Sequence, residues 1–411
     1  MTRFFVCSAW ICMGALASEH SVIIKLADGV SATDALSGFV IVHTEPVGMA
    51  NVFKVTIDTH LSGQALHQQI KRNRNVLKSE DNQASELVGP EDLVDLDQRT
   101  IGILDDFEIN QRTIGVLDDI DMDYLALFSQ PFTEHVRAID AWPYTKGQGI
   151  VVAVVDTGVD LNHSFLAGNL VAGWDFVAND DQPQDERSGL DSNQNGFVDE
   201  GWGHGTHVAG IIKMMAPNVS VMPLRAVDSD GNAELAHILS AINYAVEHGA
   251  RIINLSMSIS DPSELLIGAI DQARKANVLV VASAGNRNDA FLKYPASEME
   301  PIAVASVDHY GQKSSFSNYG REVDICAPGE LVISCLPGDR YVRRSGTSMA
   351  APMVAGEAAL ILELVPSAPL NYLKGRILNN CTEVNSLNTA YRNQLGRGVM
   401  DVWNAITLQP H

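Results

Sequence analysis

Long apolar runs alternate with amphipathic segments through most of the chain's second half. "GIVVAVVD", "VSVMPLRAVD", "RIINLSMS", "NVLVVASAG" and "PIAVASVD" are continuous β-branched runs, while "AELAHILSAINYAVEHG" and "SELLIGAIDQARKA" between them carry apolar residues at helical spacing. Strands of that kind, alternating with helices, predict a parallel, doubly wound α/β domain over residues 124–411. Sheets of this type keep their chemistry beyond the carboxyl ends of the strands, which directs attention to Asp156 after "VVAVV" and to Asn286 after "VLVVASAG". Nearer the N-terminus, "HSVIIKLADGV", "GFVIVH" and "NVFKVTID" read as short strands and "SGQALHQQIKRN" as a helix, a small α+β unit over residues 18–83.

The first seventeen residues follow a different logic. Arg3, an apolar run from Phe4 to Leu16 and the small-residue end Ala15-Leu16-Ala17 have the form of a secretory signal peptide over residues 1–17. The expectation is a secreted protein, extracellular or periplasmic, with no membrane contact once the signal is removed. Cys7 and Cys12 lie inside that segment; the remaining Cys326, Cys335 and Cys381 are odd in number, which favours buried thiols over a disulfide framework, with a Cys326–Cys335 bridge as the alternative.

Charge divides the chain further. The formal net charge is -22, and between Ser79 and Asp123 there are fourteen acidic residues against Arg99 and Arg112. Such a surface excludes nucleic acid as a partner, because phosphate binding needs clustered Lys and Arg. Residues 84–123 contain a two-copy repeat, "QRTIGILDD" and "QRTIGVLDD", and read as an acidic linker.

Three short motifs carry the chemistry. In "RSGTSMAAPMVAGEAALILE", Ser348 opens a long apolar helix, where its hydroxyl would stand beside unpaired N–H groups and the positive end of the helix dipole. Taken alone this is an N-cap serine. Asp156 in "VVDTGVD" and His204 in "GHGTHVAG" precede it in the order Asp, His, Ser, and together the three motifs closely resemble those of subtilisin-like serine proteases, the subtilases, over about residues 124–408. The resemblance implies a parallel-sheet sandwich, with Ser348 as nucleophile, His204 as general base and then acid, Asp156 as the carboxylate behind it, and Asn286 in "ASAGN" as an oxyanion donor. It also implies that Ser256, Met257 and Ser258 line the substrate, that residues 18–83 form an inhibitory propeptide, and that a monomer acts as an endopeptidase on polypeptides. Ser258 and Ile259 stand where the family often has a glycine pair, which implies a shallower substrate pocket. An esterase would need a G-x-S-x-G elbow, absent around Ser348.

"DSNQNGFVDEGW" just before His204 repeats the front of a D-x-N-x-N-G calcium loop. Asp191, Asn193, Asn195, the Phe197 carbonyl, Asp199 and Glu200 are candidate ligands for a structural calcium; the bidentate glutamate of the twelfth position is replaced by Trp202. No catalytic metal is expected: His204 and His207 are three apart, but the glutamate of an H-E-x-x-H site is missing. His207 reads as a packed structural histidine.

Overall fold

The computed structural model describes residues 18–82, 84–87, 127–259 and 262–407. The signal-like segment and most of the acidic stretch lie outside the described residues. The chain divides into two compact units, 1–82 and 83–411.

The first unit holds β1 (Ser18–Leu26), α1 (Ala32–Ala35), β2 (Val40–Pro46), β3 (Val52–Thr59), α2 (Gly63–Ile70) and β4 (Val76–Asp81). Its strands form an antiparallel sheet in the order β2-β3-β1-β4. Alternation decides which face is covered: Val22, Ile24 and Leu26 of β1, with Val55 and Ile57 of β3, are buried with Leu66 and Ile70 of α2.

The second unit begins with β5 (Ala84–Leu87), α3 (Pro131–Val136), α4 (Ala138–Ala141), β6 (Val151–Asp156) and β7 (Trp174–Asp175). It continues with α5 (His204–Met215), β8 (Ser220–Arg225), β9 (Asn232–Glu234), α6 (Leu235–Glu247), β10 (Ile252–Leu255), β11 (Met257–Ser258) and α7 (Glu264–Lys275). The remainder is β12 (Leu279–Ser283), β13 (Ile302–Val307), β14 (Ile325–Pro328), β15 (Val332–Leu336), β16 (Arg340–Arg344), α8 (Thr347–Leu364), α9 (Leu370–Leu378) and α10 (Val402–Thr407).

Seven of these strands make a parallel sheet in the order β14-β13-β12-β10-β6-β8-β7, as the alternation of apolar strand and amphipathic helix predicted. Every residue of β10, β12 and β13 is buried, which is why their sequences show no polar face. Helices α5 and α8 pack as the central pair. All of α5 is buried, and a side chain at Gly356 of α8 would meet Met215 Cβ at 2.4 Å, so glycine is what lets these helices approach. Among the described residues α8 is the one helix long and apolar enough to cross a bilayer, and 89% of it is covered by protein, as befits a core helix.

Residues 84–87, read from composition as the start of a linker, form instead the middle strand of a three-stranded sheet, β11-β5-β9. Leu87 pairs with Met257 and Glu86 with Ser258 on one side, and Ser85 with Ala233 on the other, both antiparallel. Cys326, Cys335 and Cys381 are free thiols, in line with the buried-thiol expectation, and burial pushes the Cys326 thiol up to about 12.

One core residue breaks the apolar rule. Glu357 of α8 is fully buried, and neither of its carboxyl oxygens has a hydrogen-bond partner. Burial, then the nearby Asp401 (itself held by Arg137), keeps its carboxyl well above the ordinary carboxylate value of 4.5, so the folded state holds it neutral. A raised carboxyl contributes fully below that value and loses its contribution as pH climbs, by about 1.4 kcal/mol per pH unit until the folded-state pKa is reached. Thermal melts of the native chain and of Glu357→Gln between about pH 4.5 and pH 8 should diverge, the variant giving the flatter curve. Parallel curves would refute this role.

Candidate active site

Asp156 ends β6 and His204 opens α5, so the sheet edge delivers the carboxylate and the helix start delivers the imidazole. His204 Nδ1 lies 2.7 Å from Asp156 Oδ1, which also accepts from the Thr157 N–H at 2.8 Å. The carboxylate is fully buried and the imidazole nearly so. That approach needs a bare backbone beside it: a Cβ at Gly205 would stand 2.1 Å from the Gly158 carbonyl and 3.0 Å from Asp156 Cβ.

Ser348 is the second residue of α8, and its N–H belongs to the first turn, whose donors have no carbonyl within the helix. Its hydroxyl points to the Ser256 carbonyl at 3.3 Å, while Ser256 Oγ returns a bond to the Ser348 carbonyl at 3.1 Å. His204 Nε2 is buried with no hydrogen-bond partner, leaving that nitrogen available to a hydroxyl or an incoming group.

Asn286 follows β12 in a turn. Its side-chain carbonyl accepts from the Thr347 N–H at 2.8 Å and the Thr347 hydroxyl at 2.9 Å, which fixes the amide plane and leaves Nδ2 as the outward donor beside the start of α8. Ser256, Met257 and Ser258 follow β10 along the edge that pairs with β5. Met257 is buried and Ser258 half-buried; Ile259 is buried and bridged to Tyr294, so it faces away from the Ser258 side.

The loop before His204 draws most of its candidate ligands together. Asn193 and Asn195 both direct their amide N–H groups at Glu200 Oε2, at 3.1 and 2.7 Å, and Asp191 accepts from the Asn195 and Gly196 N–H groups. Phe197 donates its N–H to the Asn195 side chain and leaves its ring exposed. Asp199 differs from the expectation that it belongs to this ring: its carboxylate is taken up by the N–H groups of Ser188 and Gly189 and by the Ser229 hydroxyl. The reason is a positive φ of 57° at Asp199 itself, which turns the side chain out of the alternation that the sequence spacing assumes. Among the described residues no three His, Cys, Asp or Glu side chains converge as a metal cage.

His207 is a core histidine. Its Nε2 lies 3.1 Å from the Val332 carbonyl and 3.2 Å from that of Val342, tying α5 to the β15–β16 hairpin. Burial first, and then the nearby Arg344 and His204, hold it well below its usual pKa and so neutral.

Sequence reasoning missed Asp185. It is buried under the start of α5, accepting from the Gly203 N–H at 3.0 Å and the Thr206 hydroxyl at 2.6 Å, and so anchors the backbone on both sides of His204. Burial pushes its carboxyl up to about 6 against the opposing hydrogen bonds of Thr206 and Gly203. In the sequence it is one acid among several in an aperiodic stretch, with no signal to single it out.

A profile described as the Subtilase family matches residues 147–398, which contain all of this geometry. Over 283 residues the chain is 36% identical to thermitase of Thermoactinomyces vulgaris, covering 66% of this chain and 94% of thermitase. It is 43% identical to the thermophilic serine proteinase of Bacillus sp. strain AK1 over 232 residues, and spans 54% of that relative's length. Among solved structures, fervidolysin from Fervidobacterium pennivorans, a keratinolytic enzyme related to subtilisin, shares the fold with a TM-score of 0.73 at 22% identity, over 97% of this chain and 62% of its own. The profile spans more than half of the sequence, and the parallel sheet with its residues gathered at strand and helix ends agrees with it: the chain belongs to the subtilase family of serine proteases.

Proposed function

We propose that the chain is the secreted precursor of a serine endopeptidase that cuts polypeptides through an acyl-enzyme made on Ser348. The observation that carries this reading is the short His204–Asp156 contact with His204 Nε2 left unpartnered. Ser348 Oγ gives its proton to Nε2 as it attacks the scissile carbonyl carbon, giving up its bond to the Ser256 carbonyl. The carbonyl oxygen, now negative, accepts from Asn286 Nδ2 and the Ser348 N–H. Asp156 holds the imidazole in the tautomer that leaves Nε2 free and stabilises the imidazolium. The proton then passes from Nε2 to the departing amine, and water repeats the sequence on the ester.

The zymogen reading is supported by β5. A strand of the chain's own sequence fills the gap between β9 and β11, alongside the Ser256–Ser258 edge that would hold a substrate backbone. Residues 18–83 then act as the inhibitory prosegment, and the signal-like 1–17 supplies export.

A structural calcium fits the loop before His204. Asp191 and Glu200 are drawn to one turn with Asn193 and Asn195 between them, oxygen donors of the kind a hard cation prefers, and the Phe197 carbonyl lies in the same turn. The ion would supply bracing, with no part in proton or acyl transfer. A ligand bound only by the folded state at about a hundred times its Kd adds roughly 2.7 kcal/mol, so chelation should lower Tm by about 5 °C and Asp191→Ala should remove most of that response. Equal melting in calcium and in chelator would reject the site.

The endopeptidase reading is tested with a serine-directed phosphonate probe beside an internally quenched peptide. Labelling at Ser348 together with peptide cleavage is the expected result; a folded, mature protein that takes no label would overturn it.

A further inference from the structure

We infer that Asn318 is a positioning residue for the proposed reaction: its side chain, set between the two arms of the turn that carries Asn286, fixes where Asn286 Nδ2 stands. The inference rests on the reading of Asn286 as a donor to the reacting carbonyl oxygen and adds what holds that donor in place.

Asn286 leaves β12 in a turn of unusual backbone. Gly285 has a φ of 100° and Asn288 a φ of 53°, so the chain passes through left-handed conformations on both sides of Asn286. Backbone of this kind persists only where its surroundings over-determine it. Thr347 holds the far end of the Asn286 side chain and accepts from the Gly285 N–H at 3.1 Å. The rest of the turn closes on one residue.

Asn318, in "SSFSNYG", is 1% exposed, and its backbone and side chain are both engaged. Its N–H donates to the Gly285 carbonyl at 2.8 Å, and its Nδ2 donates to the Ala284 carbonyl at 3.0 Å and to that of Phe291 at 3.5 Å. Its Oδ1 accepts from the Arg287 and Asp289 N–H groups, both at 2.9 Å. These partners fall on either side of Asn286 along the chain. The fit is close, since a Cβ at Gly285 would stand 2.5 Å from Asn318 Nδ2. Asn318 is in turn tied to the seven-stranded sheet: its carbonyl accepts from the Ser317 hydroxyl at 3.0 Å, and that hydroxyl accepts from the Ser306 N–H of β13 at 2.9 Å.

The chemistry of the contact calls for an amide. One oxygen accepts from two backbone N–H groups while the nitrogen serves carbonyls on the other side. An aspartate of the same shape keeps the acceptor but sets a second oxygen against the Ala284 and Phe291 carbonyls. The turn, and Asn286 with it, must then shift. An oxyanion donor works over a span of about 2.7 to 3.1 Å, and a misplacement of about 1 Å can cost roughly 10²-fold in rate.

The native chain, Asn318→Asp, Asn286→Ala and the double variant are matured with a trace of tagged native enzyme that is then removed. One internally quenched peptide gives kcat and KM, counted per site labelled to completion by the phosphonate probe. Expected is a kcat about 30-fold lower in Asn318→Asp with KM within about twofold of native, a smaller loss than the roughly 10²- to 10³-fold of removing a donor outright. In the Asn286→Ala background the same change should cost less than about threefold, because the donor it positions is already gone. A cost of about 30-fold in both backgrounds, a rise in KM in place of the fall in kcat, or an Asn318→Asp enzyme within about threefold of native overturns the inference. Should Asn318→Asp yield no labelled site, Asn318→Ser, which keeps a smaller donor and acceptor, enters the same cycle; no labelled site in either variant makes Asn318 a folding residue and overturns the inference. Asn286→Ala within about threefold of native removes the donor reading and this inference, and leaves the endopeptidase reading standing. A native chain that cuts no peptide removes all three.

Discussion

Ser348→Ala is expected to lower kcat by about 10⁶-fold, the size of loss seen when a subtilisin is stripped of its nucleophile, and to leave the precursor uncut. Both outcomes follow from one arrangement. The alanine methyl occupies the start of α8 as the serine does, so the helix, the Asn286 amide and the His204–Asp156 contact should survive while the atom that attacks is gone. Because β5 lies along the Ser256–Ser258 edge, the proposed function makes one of this chain's own bonds the expected first substrate of Ser348. Mass spectrometry of protein from a protease-deficient host should show the native chain beginning between Ala84 and Ser129 and the variant lacking only its signal. Normal processing of the variant would show that another protease makes the cut.

Asp156→Asn is expected to cost about 10⁴-fold in kcat with little change in KM. The substitution keeps the shape and removes the charge. In the native site Oδ1 accepts from both His204 Nδ1 and the Thr157 N–H, while Oδ2 is buried without a partner. An amide must either place its NH2 against Nδ1, which forces the proton onto Nε2 and leaves no base for Ser348, or keep its oxygen there and leave the imidazolium without a counter-charge. Steady-state kinetics beside phosphonate labelling would check it. A loss below about tenfold would mean that Asp156 is structural.

The parallel sheet was legible because its strands are buried on both faces and therefore read as unbroken β-branched runs. β15 and β16 escaped notice, as "VISCL" and "RYVRR" are only five residues each and three of the five in the second are arginine; they pair with each other, and His207 of α5 ties to both. The site divides in the same way. Asp156, His204, Ser348 and Asn286 stand in motifs whose glycines and flanking runs can be seen in one dimension. Asp185 matters through what approaches it, the Gly203 N–H and the Thr206 hydroxyl on either side of His204. β5 is the sharpest case, since nothing in "ASEL" is periodic and its strand character is imposed by two neighbouring edges.

On the proposed function, those two edges would shape what the protein can digest. Without the Ala84–Leu87 strand, as in the proposed mature form, β9 and β11 would face each other across a gap two strand spacings wide, about 9.6 Å. A gap of that width admits one extended chain and excludes a helix, whose diameter with side chains is about 10 to 12 Å, or a folded sheet already paired on both sides. A native protein must first release several residues from their own hydrogen bonds. Digestion of folded proteins is then governed by how often a loop or terminus opens, so that two substrates with the same scissile sequence are cut at rates set by their own local stability.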